Sequence, residues 1–298
     1  MVEDNNIGPE ELYVIAYSAY SAQDYQMAVD YFTKYLNVVK GDLETYYVRG
    51  RSFLELKRYE EALADFDKAI EINPDDNLSY NNKGLAYLNL GRSSEAIENF
   101  NKAIEIEPNF PECFSNRGVA YSDIGNIEQA IADQIRATEL DHMYFKAFNN
   151  LGNIYAKQGN LEEALKNYKN AIKLNPYSPE AHSNLSYTYY ALKKYDEAAE
   201  ECLKAISMFP EFADAYNNLG LVKYEQEDFK TALQNFDKCI ELNPRHDEAY
   251  YGCGLTHYQM KNYQKAIENW EMAIKINKIH EKELKELLDS AKKILNNN

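Results

Sequence analysis

No run in this sequence approaches the roughly 18 consecutive apolar residues that a membrane-spanning helix needs. Its first residues, MVEDNNIGPEE, have neither the basic start nor the apolar stretch of a secretory leader. Basic residues are in deficit: 32 Lys and Arg stand against 48 Asp and Glu, for a formal net charge of −16. Nucleic-acid backbones and anionic membrane surfaces both attract basic faces, so neither is an expected partner. Cysteine is sparse, and Cys113, Cys202, Cys239 and Cys253 show no C-x-x-C spacing. They read as buried thiols, with no metal or redox motif among them, and cytoplasmic residence is expected. Proline and glycine are also few, 8 and 12 respectively, but their placement is regular.

That regularity is the dominant signal. SYNNKG at Ser79–Gly84, AFNNLG at Ala147–Gly152 and AYNNLG at Ala215–Gly220 are spaced 68 residues apart, with looser copies midway. Counting from Pro9, the chain divides without insertion into eight blocks of 34 residues: 9–42, 43–76, 77–110, 111–144, 145–178, 179–212, 213–246 and 247–280. Residues 1–8 form a tail and 281–298 a final helix and tail. Position 20 of the block is Ala in all eight, position 8 is Gly in six, and position 24 is aromatic in six. Small residues set against large ones describe two closely packed helices. Positions 4, 7, 8 and 11 make one helical stripe, and positions 17, 20, 21, 24 and 28 another.

The prolines agree with this division. Pro9, Pro111 and Pro179 stand at position 1, where a helix tolerates proline best, and the other five at position 32, past the second helix. Gly91, Gly125 and Gly159 mark the turn between the helices. After the last block, Leu284, Leu287, Leu288, Ala291, Ile294 and Leu295 form one apolar stripe. That stripe suits a solvating cap for the terminal repeat, or alternatively a helix offered to a partner. The fourth block departs from its siblings, with Gln134 in place of the aromatic, Thr138 for an aliphatic and His142 for proline. A looser junction is expected there.

Over 272 of 298 residues the chain resembles the tetratricopeptide repeat (TPR) family. AFNNLGNIYAKQGNLEEALKNYKNAIKLNP in the fifth block carries the family's small, aromatic, aromatic and proline framework. The periodicity itself specifies an all-α class, an α-solenoid. The resemblance implies more: a right-handed superhelix of antiparallel helix pairs, with first helices lining a concave groove.

Motifs of catalysis are missing. There is no HExxH, nucleophile elbow or Gly-rich phosphate loop, and the five histidines share no face. With repeats filling the chain, the expectation is a non-enzyme without cofactor or metal.

The groove is the remaining place for function. In the family, positions 2, 5, 6, 9, 12 and 13 face it. Position 6 is asparagine in five consecutive repeats: Asn82, Asn116, Asn150, Asn184 and Asn218. A carboxamide both donates and accepts, so it can pair with one peptide unit of an extended chain. The ladder is similar to the asparagine array in the repeats of O-linked N-acetylglucosamine transferase. An alternative role for position 6 is hydrogen bonding to a neighbouring repeat. Asn149, Asn153, Lys157 and Asn217 border the ladder, and Tyr187, Tyr190 and Tyr224 offer large contact area, though such tyrosines also pack between helices. Six of nine groove acids stand at position 2, where the helix dipole explains them, so a neutral or basic ligand is only weakly preferred.

The family's carboxylate clamp is not expected. Asn153 and Asn184 match two of its positions, but Asn149, Asp214 and Asn218 stand where it needs cations. The functional expectation is a scaffold binding an extended peptide segment. Alternatives are a structural or self-associating subunit using its convex face or ends, and the substrate-recognition part of a larger enzyme.

Overall fold

A computed structural model describes residues 7–296; residues 1–6 and 297–298 of the two tails lie outside it. Seventeen helices and no strands are present among the described residues. The chain divides between Asn150 and Leu151 into two compact units. The first holds α1 (Pro9–Ser21), α2 (Tyr25–Val38), α3 (Leu43–Glu55), α4 (Tyr59–Ile72), α5 (Asn77–Asn89), α6 (Ser93–Ile106), α7 (Pro111–Asp123) and α8 (Ile127–Leu140). The division falls inside α9 (Phe145–Lys157). The second unit continues with α10 (Leu161–Leu174), α11 (Pro179–Ala191), α12 (Tyr195–Met208), α13 (Ala213–Glu225), α14 (Phe229–Leu242), α15 (Asp247–Gln259), α16 (Tyr263–Ile276) and α17 (His280–Asn296). Within each unit, successive helices pack in antiparallel pairs and each pair packs on the next, which is the all-α solenoid class. None of the described helices is long and apolar enough to cross a membrane.

Local chemistry explains the segmentation. The first helix of every pair begins at position 1 of the 34-residue period. Asp24, Asp42, Asn126, Asn160, Ser178 and Asp228 cap helices by accepting a backbone N–H three residues on. Position 15 turns the chain between paired helices with positive φ in all eight repeats. Gly91, Gly125 and Gly159 take it without strain, whereas Gln23, Lys57, Lys193, Glu227 and Lys261 hold φ of 58–63°.

Most pairs are keyed by a ring over a small residue. Phe66, Phe100, Tyr168, Phe236 and Trp270 are buried, and a Cβ added to the facing Gly50, Gly84, Gly152, Gly220 or Gly254 would lie 2.2–2.8 Å from the ring. In the sixth repeat Ser186 takes the place of the glycine and Cys202 that of the ring, 2.8 Å apart. In the fourth repeat Gln134 fills the place of the ring, fully buried beside Gly118. Its Nε2 donates to the Ser115 carbonyl at 2.8 Å and its Oε1 accepts from the Ser115 hydroxyl at 2.8 Å. The site of the expected looseness thus has its polar groups paired.

Position 7 supplies ion pairs in the first unit. Arg49 and Arg117 make bidentate contacts with Asp65 and Asp133 at 2.6–2.8 Å. Each also reaches one repeat back, to Thr33 and Asn101 respectively. At the far end of the chain, α17 buries Leu284 and Ala291 in a cluster with Ala266, Ile267, Trp270 and Ala273. All four cysteines are buried and free, and burial pushes the Cys113 and Cys202 thiols up to about 12.

Candidate peptide-binding cleft

The asparagines at position 6 form a ladder of bonds between repeats. Asn116 Nδ2 donates to Asn81 Oδ1 at 3.1 Å, and Asn150 Nδ2 to the Ser115 hydroxyl at 3.1 Å. Asn218 Nδ2 donates to both the hydroxyl and the carbonyl of Ser183, at 3.0 and 3.2 Å. Asn82 Nδ2 reaches the Tyr47 hydroxyl at 3.3 Å and the Leu78 carbonyl at 2.9 Å. In each of these four the acceptor on the preceding repeat stands at position 5. Asn184 Nδ2 donates to Asn153 Oδ1, which also accepts from the Tyr168 hydroxyl. The donor half of the ladder therefore joins repeats to each other. The signal for this lay in the polar residues at position 5, which the sequence reading did not pair with position 6.

The ladder stops before the last repeat. The eighth repeat has Gly252 at position 6, where a Cβ would lie 2.5 Å from Phe236 Cζ. The ring that keys the seventh repeat occupies that space. Asn217, at position 5 of the preceding repeat, is consequently left without a donor. Its residue is 2 % exposed, its Oδ1 is buried without a partner, and its carboxamide makes no hydrogen bond to any described residue.

Asn217 lines a cleft of about 380 Å³ in the second unit. Asn184 and Tyr187 from α11, and Asn218 from α13, line the same cleft. Ser183 and Thr188 of α11, Phe212 and Asp214 at the start of α13, and His246 and Glu248 at the start of α15 complete it, with Ala156 and Tyr168 behind. Tyr187 is 51 % exposed, its ring 6.0 Å from that of Tyr190.

The other sequence candidates lie outside this cleft. Tyr190 donates to Glu225 at 3.4 Å, and burial together with that carboxylate lifts its pKa to about 12. Tyr224 packs on Phe229 and accepts from Gln259. Lys157 is exposed in the last turn of α9. Asn149 and Asn150 fall in the first unit, and Asn82 and Asn116 stand deeper in it.

Charge in the cleft is mostly negative. Glu248 is exposed and makes no ion pair or hydrogen bond with a described residue. Asp214 lies 3.2 Å from His246 Nε2. Burial resists protonation of that ring, but the side chains of Asp214 and Cys239 favour it, and the pKa is raised overall. Nδ1 meanwhile accepts the Ala249 N–H as the cap of α15, which requires that nitrogen unprotonated. The cap contact on Nδ1 leaves Nε2 as the nitrogen that carries a proton toward Asp214. Among the described residues no group of His, Cys, Asp and Glu is placed to hold a metal ion.

Comparison with known proteins places this architecture. The family model described as TPR repeat matches residues 50–91, 120–159, 152–193 and 187–227. The chain belongs to the tetratricopeptide repeat family. A second tetratricopeptide repeat model matches residues 78–110, 213–246 and 247–279, and a third matches 99–132. Residues 1–69 match the model of anaphase-promoting complex, cyclosome, subunit 3.

Solved structures share the fold. The APC/C hetero-tetramer Cut9-Hcn1 superposes with a TM-score of 0.75 at 18% identity, covering 97% of this chain and 57% of that one. Yeast Tom70 gives 0.67 at 18% identity, covering 99% and 66%. A tetratricopeptide repeat protein from Parabacteroides merdae gives 0.68 at 18% identity, covering 83% and 98%. This TPR chain thus spans less than two thirds of the first two structures. No curated protein sequence matches it.

Proposed function

We propose that this TPR protein is a non-catalytic interaction scaffold that holds an extended segment of a partner polypeptide in the cleft of its sixth to eighth repeats. One observation carries the reading: Asn184, Tyr187, Asn217 and Asn218, four residues at groove positions of the period, line a single cleft. Asn217 offers both halves of an unused carboxamide, the complement of one peptide unit. Tyr187 offers an exposed ring, which binds with little rotamer entropy to lose. Hydrogen bonds at about 1 kcal/mol net each are small against an association cost of roughly 4–15 kcal/mol, so side-chain contacts supply most of the affinity. The test is panning the full chain against a random 12-residue peptide library. Selected peptides that lose binding to Tyr187→Ala and Asn217→Ala, while both variants keep wild-type helicity, support the reading. Peptides indifferent to both substitutions defeat it.

The match of residues 1–69 to a model of an assembly subunit favours a second reading, in which the first two repeats join a multi-protein complex. Those repeats have Val14 and Val48 where the ladder has asparagine, and Val14 is exposed. Val14→Glu should release co-purifying subunits yet leave peptide selection unchanged.

A further inference from the structure

We infer that the cleft selects a lysine or arginine side chain in the bound segment. This rests on the peptide-binding reading above and adds the chemical class of the residue recognised. The ladder explains why the site is here and in no other repeat of the second unit. Where position 6 is asparagine, its amide consumes the position 5 acceptor of the previous repeat, as Asn218 does with Ser183. Phe236 forces glycine at residue 252, so Asn217 keeps an acceptor that no described group satisfies. An unsatisfied buried acceptor favours a ligand that brings N–H groups.

The charges around Asn217 narrow that ligand further. Asp214 stands one turn before Asn217 on α13, and Glu248 enters from α15. Glu248 makes no ion pair or hydrogen bond with a described residue, so its carboxylate is available. His246 is the one residue lining the cleft that can carry a positive charge, against the two carboxylates, and no Lys or Arg lines it. An ammonium or guanidinium answers all three acceptors with N–H donors alone, and a carboxylate ligand would meet two like charges. Tyr187 and Phe212 flank the site and suit the apolar stem of a long basic side chain.

The test separates this inference from the reading beneath it. The same peptide library is panned on the full wild-type chain and on Glu248→Gln, with circular dichroism as the check on folding. The best wild-type peptides are then resynthesised with each Lys or Arg changed to norleucine, and titrated by fluorescence anisotropy. Enrichment of one basic position is expected on wild type. Its loss is expected on Glu248→Gln, together with an affinity drop of about fivefold for the norleucine peptides. Dependence on Asn217 without any basic preference would overturn the inference and leave the scaffold reading standing. Selection of no peptide at all would overturn both.

Discussion

Gln134 and Ser115 are joined twice, side chain to carbonyl and hydroxyl to side chain, in the space that other repeats fill with an aromatic ring. Ser115 also accepts from Asn150, so one buried serine connects the core of the fourth repeat to the ladder. Gln134→Leu keeps the volume but removes both bonds to Ser115. It should lower stability by about 1–3 kcal/mol in urea unfolding. In native-state hydrogen exchange the wild-type amides of the fourth repeat should be as protected as those of the third.

The ladder and Asn217 predict opposite phenotypes for neighbouring residues. Asn218→Ala removes two bonds to Ser183, and Asn116→Ala one bond to Asn81. Each should cost about 1 kcal/mol or more of stability in chemical denaturation. Asn217→Ala removes a carboxamide that has no partner to lose, so its cost should be smaller than that of Asn218→Ala, while peptide binding falls.

Gly152 lies under the Tyr168 ring, where a Cβ would be 2.4 Å from Cε1. Tyr168 cannot swing aside freely because its hydroxyl donates to Asn153 at 2.8 Å. Gly152→Ala should therefore destabilise by about 1–3 kcal/mol, read as a lower midpoint in thermal melts.

His182 and Glu201 give the second unit an acid-sensitive contact. His182 Nδ1 lies 2.5 Å from Glu201, and its Nε2 faces the Pro176 carbonyl at 3.2 Å. Both ring nitrogens thus have a hydrogen-bond partner. Burial raises the Glu201 pKa, but hydrogen bonds from His182 and Lys204 outweigh it and hold the group below its usual 4.5. The sign follows from linkage: a depressed carboxylate contributes stability above pH 4.5 that is lost as pH falls through its folded pKa. Glu201→Gln should flatten the stability profile below pH 4.5, measured by urea midpoints across that range.

Leu284 is fully buried where α17 covers the cluster around Trp270. Leu284→Ala should cost about 2–5 kcal/mol, the range for truncating a buried leucine. A thermal melt within about 1 °C of wild type would show that α17 contributes no such cover.

Much of the fold was legible because its information is periodic. A ring at position 24 over glycine at position 8 requires two helices in contact, and eight copies in phase require stacking. The sixth and fourth repeats were harder to read. Ser186 with Cys202, and Gln134 with Ser115, solve the same packing problem with different volumes and with hydrogen bonds, and neither solution follows a residue class along the chain.

The candidate site was legible only in part. The asparagines stood out because they recur, yet recurrence marked the residues that bond repeats together. Asn217 is distinguished by what another repeat fails to supply. Its missing donor lies 35 residues away at Gly252, and glycine stands there because Phe236 needs the space.

By itself the sequence determined the all-α solenoid class and the family, since 34-residue periodicity and local helix signals act within each repeat. Only the tertiary structure decided which carboxamides of the ladder are spent, and that Asn217 has no partner among the described residues. Hydrogen-bond satisfaction is a property of atoms brought together across repeats, and one absent side chain can change it without disturbing the period.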